Sequence, residues 1–172
     1  MVAQTLDVTK DPRLPSSVTE FDLVQQYELA RDIQAERVRV AVALDQAAQL
    51  RTLMATAREA RNRGALSSLD ELSRAIDRAA GPPPPDSGEE YSAGEADDPT
   101  TLRQLAASLS GLQSVVESAD AAPTSDAMTG FSERRKLVSS GLDRWQRLLA
   151  TELPKANKAL ERAGRPPMSP TP

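Results

Sequence analysis

Two acidic doublets, Glu89-Glu90 and Asp97-Asp98, are where paired carboxylates first suggest acid–base chemistry. A glycosidase needs two carboxyls at fixed separation across a cleft, one of them with a raised pKa. These doublets sit among Pro, Gly and Ser, a composition that supplies neither burial nor rigidity, so they read as a solvated spacer. They do not form the Asp-x-Asp-x-Asp-Gly pattern of a calcium loop, so no metal site is assigned. Ser139-Ser140 is a further nucleophile candidate, but the chain contains no His, and no nearby Lys is arranged to activate a hydroxyl. There is no Cys, which excludes thiol and disulfide chemistry, and no Gly-rich phosphate loop. No catalytic residue, cofactor site or metal site is therefore expected, and the chain reads as a non-enzyme.

Partners are constrained by charge and hydropathy. Net charge is −4, and residues 82–100 carry six acids and no base, leaving the remainder nearly neutral. Nucleic-acid binding needs a concentrated basic face, which this distribution lacks. The longest uncharged apolar run, Val40 to Leu44, is far too short to span a bilayer. The N-terminus shows no basic segment followed by an apolar stretch, so no signal peptide is read and the chain is expected to be soluble.

The elements around these residues are helical. Thr19 and Asp22 form a capping box, and Leu23, Tyr27, Ala30, Ile33, Val40, Leu44, Ala47 and Met54 then recur at three- and four-residue steps. That pattern predicts a helix over about 19–62, roughly 60 Å long, in the range of coiled coils and long bundles. Gly64 is expected to end it, and a shorter helix follows from Ser68 to about Ala80, stopped by "GPPPP". Residues 81–98 read as a disordered acidic linker. Asp98-Pro99 supplies an N-cap and a first-turn proline for a third helix with Leu102, Leu105, Leu109, Leu112 and Val116 on one face. Thr124 caps a fourth, whose stripe is Met128, Phe131, Val138, Leu142, Trp145, Leu149, Ala156 and Leu160. Pro154 is expected to kink or briefly break that helix near Thr151, and Gly164 to close it.

Aromatics are only 3% of the chain, so the core must be a thin one of Leu, Val and Ala. Trp145 lies on the apolar stripe, which favours a core role, with an exposed docking anchor as the other reading. Arg134-Arg135-Lys136 is a candidate docking patch, against the plainer reading of a solvated helix face. Gly141, one turn before Trp145, suits close approach of a neighbouring helix.

The first residues differ from the rest. In "QTLDVTKDPRL", Val2, Gln4, Leu6 and Val8 alternate with Ala3, Thr5, Asp7 and Thr9, the period of a β-strand, and Asp11-Pro12 ends it. No second strand is visible to pair with it.

"ASLSGLQSVVESADAAPT" (107–124) and "RWQRLLATELPKANKALERAGRPP" (144–167) resemble the C-terminal helical region of bacterial proteins with sortilin-like β-propellers. Those propellers are built from neuraminidase repeats, and the proteins are often labelled glycosyl hydrolases. "DPRL" followed by "VQQYELARDI" (24–33) is similar to the entry into that region, which comes after the last strand of a β-sandwich. The resemblance implies that the opening strand is the remnant of an upstream sandwich. It also implies a periplasmic or secreted setting if the chain is part of such a parent. Two departures stand out. The Asn-Tyr-Pro step before the third helix is replaced by "EEYSAGEADDPT", and the propeller repeat Ser-x-Asp-x-Gly-x-x-Trp is missing from this sequence.

The expectation is an all-α, antiparallel bundle of two long and two short helices behind a remnant strand. The divisions are strand and linker at 1–18, a long plus a short helix at 19–80, the acidic linker at 81–98, a helical hairpin at 99–164 and a tail at 165–172. Helices two and three together should cover the groove between the long pair. The expected function is a structural, protein-interaction module. The alternatives are a stand-alone helical adaptor or homodimer and, by family label only, a glycosyl hydrolase. The partner is expected to be protein, with neither nucleic acid nor membrane involved.

Overall fold

A computed structural model of the chain describes residues 10–59, 63–83 and 98–171. The alternating segment at 1–9 and most of the acidic stretch lie outside the described residues. Four helices are present, α1 (Glu20–Glu59), α2 (Arg63–Ala80), α3 (Leu102–Glu117) and α4 (Ser125–Arg162), and no strand occurs among the described residues.

The caps are mostly where local chemistry puts them. The Thr19 amide donates to Asp22 at 2.8 Å, and the Asp22 amide donates back to the Thr19 hydroxyl at 3.2 Å, a reciprocal capping box. Thr124 accepts from the Ala127 amide at 3.1 Å and opens α4. Gly164, at φ +70°, closes it, with Arg165 N–H bonded to the Leu160 carbonyl and Gly164 N–H to that of Glu161, both at 2.9 Å. Those two bonds define a Schellman motif.

Three boundaries differ from the sequence expectation. Gly64 lies inside the first turn of α2 rather than ending α1, and α2 begins at Arg63, five residues before Ser68. α1 is described to Glu59 and α2 from Arg63, and a glycine costs little in a first turn whose amides lack intrahelical partners anyway. The cap of α3 is Thr101, not Asp98. Asp98 instead accepts from the Thr100 amide and hydroxyl at 2.9 and 2.7 Å, making a turn with Pro99 at its second position, a role that suits Asp-Pro equally well. Finally, α4 runs through Pro154 without a break. Proline removes one backbone donor, and the packing of Leu153, Ala156 and Leu160 on the core holds the helix together across the gap.

Side-chain pairs fix the directions of the helices. Trp145 meets Gln46 and Arg135 meets Glu36, pairs with the same separation in sequence, so α4 runs parallel to α1 and in register with it. The second helix runs the other way along the C-terminal half of α1, through Arg58–Asp70 and Arg51–Asp77, both 2.8 Å. The third is also antiparallel, along the N-terminal half, where Arg37 reaches Gln113 at 2.6 Å and Gln26 donates to the Val116 carbonyl at 2.7 Å. Thus α2 and α3 lie end to end as one broken rod in the groove between the parallel pair.

The halves of that rod touch. Gly81 ends α2 at φ +89°, and a Cβ there would sit 3.2 Å from the Arg103 Cβ in α3. Arg51 donates to the Gly81 carbonyl at 2.6 Å, and Arg144 to that of Thr100 at 2.5 Å. The acidic stretch is therefore an excursion that leaves and rejoins the second rod at nearly one point.

Apart from Phe131 and Trp145, the core is aliphatic with some Met. Leu102, Leu105, Leu109, Leu112 and Val116 are all buried, as their spacing predicts. At Gly141 a Cβ would lie only 3.0 Å from Leu105 Cδ1, so the missing side chain lets α3 approach α4 closely. Two positions expected on the inner stripes are turned outward, Tyr27 at 66% exposed and Met128 at 50%.

The tail expected at 165–172 is a strap. Met168 is buried, and Asn157 holds it by two 2.8 Å bonds, one to its amide and one to its carbonyl. Thr171 then bonds through its amide and hydroxyl to Gln49 on α1, at 2.9 and 2.8 Å. The strap thus joins α4 to α1. No helix among the described residues is long and apolar enough to cross a membrane.

Candidate interaction surface

Trp145 is fully enclosed, at 0% exposure. Its spacing with Leu142 and Leu149 turns it into the core, and its indole Nε1 donates to Gln46 Oε1 of α1 at 2.9 Å. An enclosed and satisfied indole presents no surface to a partner, so of its two readings the structure favours the core one.

The run Arg134-Arg135-Lys136 is not one patch, because successive helical residues point about 100° apart. Arg134 folds back on its own helix, Nη1 donating to the Gly130 carbonyl at 3.0 Å, and fills the space a side chain at Gly130 would need. Its Nε is buried without a partner. Arg135 crosses to α1 and meets Glu36 at 3.2 Å. Lys136 is exposed and shares a shallow depression with Arg39, Ser132, Arg135 and Ser139.

Glu36 is a feature that periodicity alone misses. It stands at a core position of α1 only 4% exposed, held by Arg39 at 2.7 Å and Arg135 at 3.2 Å. Burying a carboxylate is costly unless it is paired, so the two arginines are needed to keep it there. Arg135, the one on α4, also fixes the register of α4 against α1 from the rim of the core.

The larger missed feature is the outer face of α1. Val24, Tyr27, Arg31, Ala35, Val38 and Val42 follow one another at three- and four-residue steps, and all are exposed. Ile33, Val40, Ala43, Ala47, Leu50 and Met54 form the inner stripe of the same helix. A helix apolar on two opposite faces ordinarily has neighbours on both. Phe21, at 67% exposed, extends the outer stripe, and Leu142 and Gln146 of α4 border it beside Val38 and Val42.

The titrating groups with displaced pKa values are all peripheral. Asp22 is held below its ordinary value first by the Thr19 amide and then by the Thr19 hydroxyl, and Asp98 first by the Thr100 hydroxyl and then by its amide. Glu152 is lowered chiefly by the bond from Lys155. Each serves a cap, a turn or a surface pair. Among the described residues no group of three or more carboxylates is placed to hold a metal ion. Asp97 of the acidic doublets, together with Glu89 and Glu90, lies outside the described residues. Compared with protein-family models, with curated proteins and with solved structures, the chain matches none of them.

Proposed function

We propose that this chain is a non-catalytic helical module that works by binding protein through the outer face of α1. The observation that carries the reading is the exposed stripe Val24, Tyr27, Val38 and Val42, in step with the helix and opposite its buried face. A face of this kind is stable in water but gains free energy whenever apolar surface covers it. Its steps of three and four residues suit a helical partner.

The parent we favour is a protein with a sortilin-like β-propeller, on the strength of the sequence segments at 107–124 and 144–167. In that setting the bundle would be a C-terminal structural unit packed on, or projecting from, β domains. Reading the gene upstream for an in-frame propeller tests the parentage directly. The non-catalytic reading is tested on the purified chain with aryl glycosides and sialosides. No turnover is expected, and activity that survives repurification but is lost with one carboxylate substitution overturns it.

A further inference from the structure

We infer that the partner of the outer face of α1 is the same face of a second copy of this chain, packed antiparallel about a two-fold axis at the level of Ile33. The inference rests on the reading of the chain as an interaction module and names the partner of that surface.

The free part of the face is symmetric about that level. An antiparallel copy centred there sets Val24 opposite Val42, brings Tyr27 against Val38 and lays Arg31 beside Ala35. From Val24 to Val42 each apolar position meets an apolar one, Phe21 falls at the level of Asp45 and Gln46, and the stem of the single arginine crosses the smallest side chain in the stripe. The flanks agree. Glu28 and Arg39 lie on the same side of the stripe, and a two-fold axis perpendicular to the helices keeps flanks on the same side together. The copy therefore brings Glu28 of each chain to Arg39 of the other, twice per dimer. A parallel pairing would instead stack Arg31 on Arg31 and carry Glu28 of one chain and Arg39 of the other to opposite flanks.

Length agrees as well. A copy centred at Ile33 starts its own α1 at the level of Gln46 in the first chain. Gln46 and Gln49 are where the C-terminal strap ends, with Thr171. The second helix thus fills the length of α1 that the strap leaves open, without displacing it. The area is adequate. Phe21, Val24, Tyr27, Val38 and Val42 are each 46–67% exposed. With roughly 200 Å² for an aromatic side chain, they leave on the order of 500 Å² of apolar surface open. That is near the top of the range for the largest patch on a monomer and much of the about 800 Å² that each partner gives a standard interface.

The chain has no cysteine, so introduced thiols report cleanly. Val24 and Val42 are about 27 Å apart along one helix, too far for a short bismaleimide to join within a chain. The V24C/V42C double variant should cross-link to a covalent dimer, and V24C or V42C alone should not. Analytical ultracentrifugation should show a dimer that Val38→Glu dissociates with the helical circular dichroism unchanged, since Val38 is exposed. Glu28→Arg should weaken the dimer at least tenfold at low salt and less at high salt. Single variants that cross-link as well as the double overturn the antiparallel register. A chain monomeric at every concentration overturns the second-copy partner. If an upstream propeller domain added in trans then protects Val38 and Val42 from footprinting, the module reading survives with a different partner. If nothing protects them, both readings fall.

Discussion

The indole of Trp145 and the side-chain amide of Gln46 form a 2.9 Å hydrogen bond that joins the two parallel helices. The same Gln46 amide lies 3.5 Å from the Thr171 carbonyl, so one side chain links α1, α4 and the strap. Trp145→Ala should cost about 3–5 kcal/mol, the range for emptying a buried aromatic site. Trp145→Phe keeps most of the volume but strands the Gln46 oxygen, and about 1–3 kcal/mol is expected from the lost partner. Chemical denaturation measures both. Native emission should be blue-shifted and move to the red on unfolding, and a solvent-like native maximum would contradict the enclosed indole.

Gly141 is tested by adding atoms. Alanine gains about 1 kcal/mol of helix propensity over glycine, but its Cβ would stand 3.0 Å from the end of Leu105. That methyl is the tip of a flexible side chain and can give way, so Gly141→Ala should stay within about 1 kcal/mol of the parent. Gly141→Leu has no such escape, because α3 itself must move, and overpacking of about 1–3 kcal/mol is expected. Thermal melts of the two variants separate close packing from mere tolerance of glycine.

The capping box of α1 gives a pH-dependent prediction. The Thr19 amide, and then its hydroxyl, hold the Asp22 carboxyl below its ordinary 3.8. A carboxyl lowered on folding stabilises the fold above the unfolded value, and that contribution is lost as pH falls through the folded one. Asp22→Asn should therefore melt lower than the parent at pH 7. The gap should begin to close below about 3.8 and vanish in stronger acid. A gap that persists unchanged at pH 2 would mean the asparagine acts through something other than lost charge.

Much of the bundle was legible in the sequence, and the exceptions have physical causes. Leu102 to Val116 were placed correctly because α3 has a single apolar face, and Thr124 and Gly164 because their caps are local chemistry. The first helix was harder. It is apolar on two faces, so a path of three- and four-residue steps could be threaded through Tyr27 as easily as through Ala43 and Leu50. Glu36 was invisible because a carboxylate at a core position is tolerated only when paired, and one of its two partners, Arg135, is about a hundred residues away. The strap was read as a tail because its prolines forbid helix, and nothing local announces that Met168 has a pocket and Asn157 has a backbone to hold. Of the candidate residues, Trp145 was legible through spacing. The fates of the three basic residues depended on where α1 lay.

The strap can be removed. Truncation after Gly164 loses buried Met168 and the bonds to Asn157 and Gln49. A loss of about 2–5 kcal/mol is expected, set mainly by the buried methionine because the bonds to Gln49 are exposed. Met168→Ala alone should give roughly half or more of that loss. Hydrogen exchange should report it first in α4 around Asn157, and equal protection with and without the strap would show that it adds nothing.

The second rod makes the strongest architectural prediction. Its halves meet where Gly81 lies against Arg103 and Thr101, so the 82–100 stretch closes a long loop whose ends are already in contact. Loop entropy grows only slowly with length, by about 0.6 kcal/mol per doubling, so neither the length nor the composition of the excursion should matter much to the fold. Replacing residues 84–97 with two or three glycines should leave the melting temperature unchanged or slightly raised. Its acid-rich, Pro/Gly/Ser composition also makes it the expected first site of limited proteolysis. The cut would leave α1 with α2 on one fragment and α3 with α4 on the other. Gln26–Val116 and Arg37–Gln113 tie α1 to α3, Trp145–Gln46 and Arg135–Glu36 tie α1 to α4, and the core runs across all four helices. The fragments should therefore elute together on gel filtration and separate only in denaturant. If the nicked chain falls apart at once, the second rod is held by its covalent link and not by packing. Resistance of the stretch to protease would instead show that the excursion folds onto the bundle.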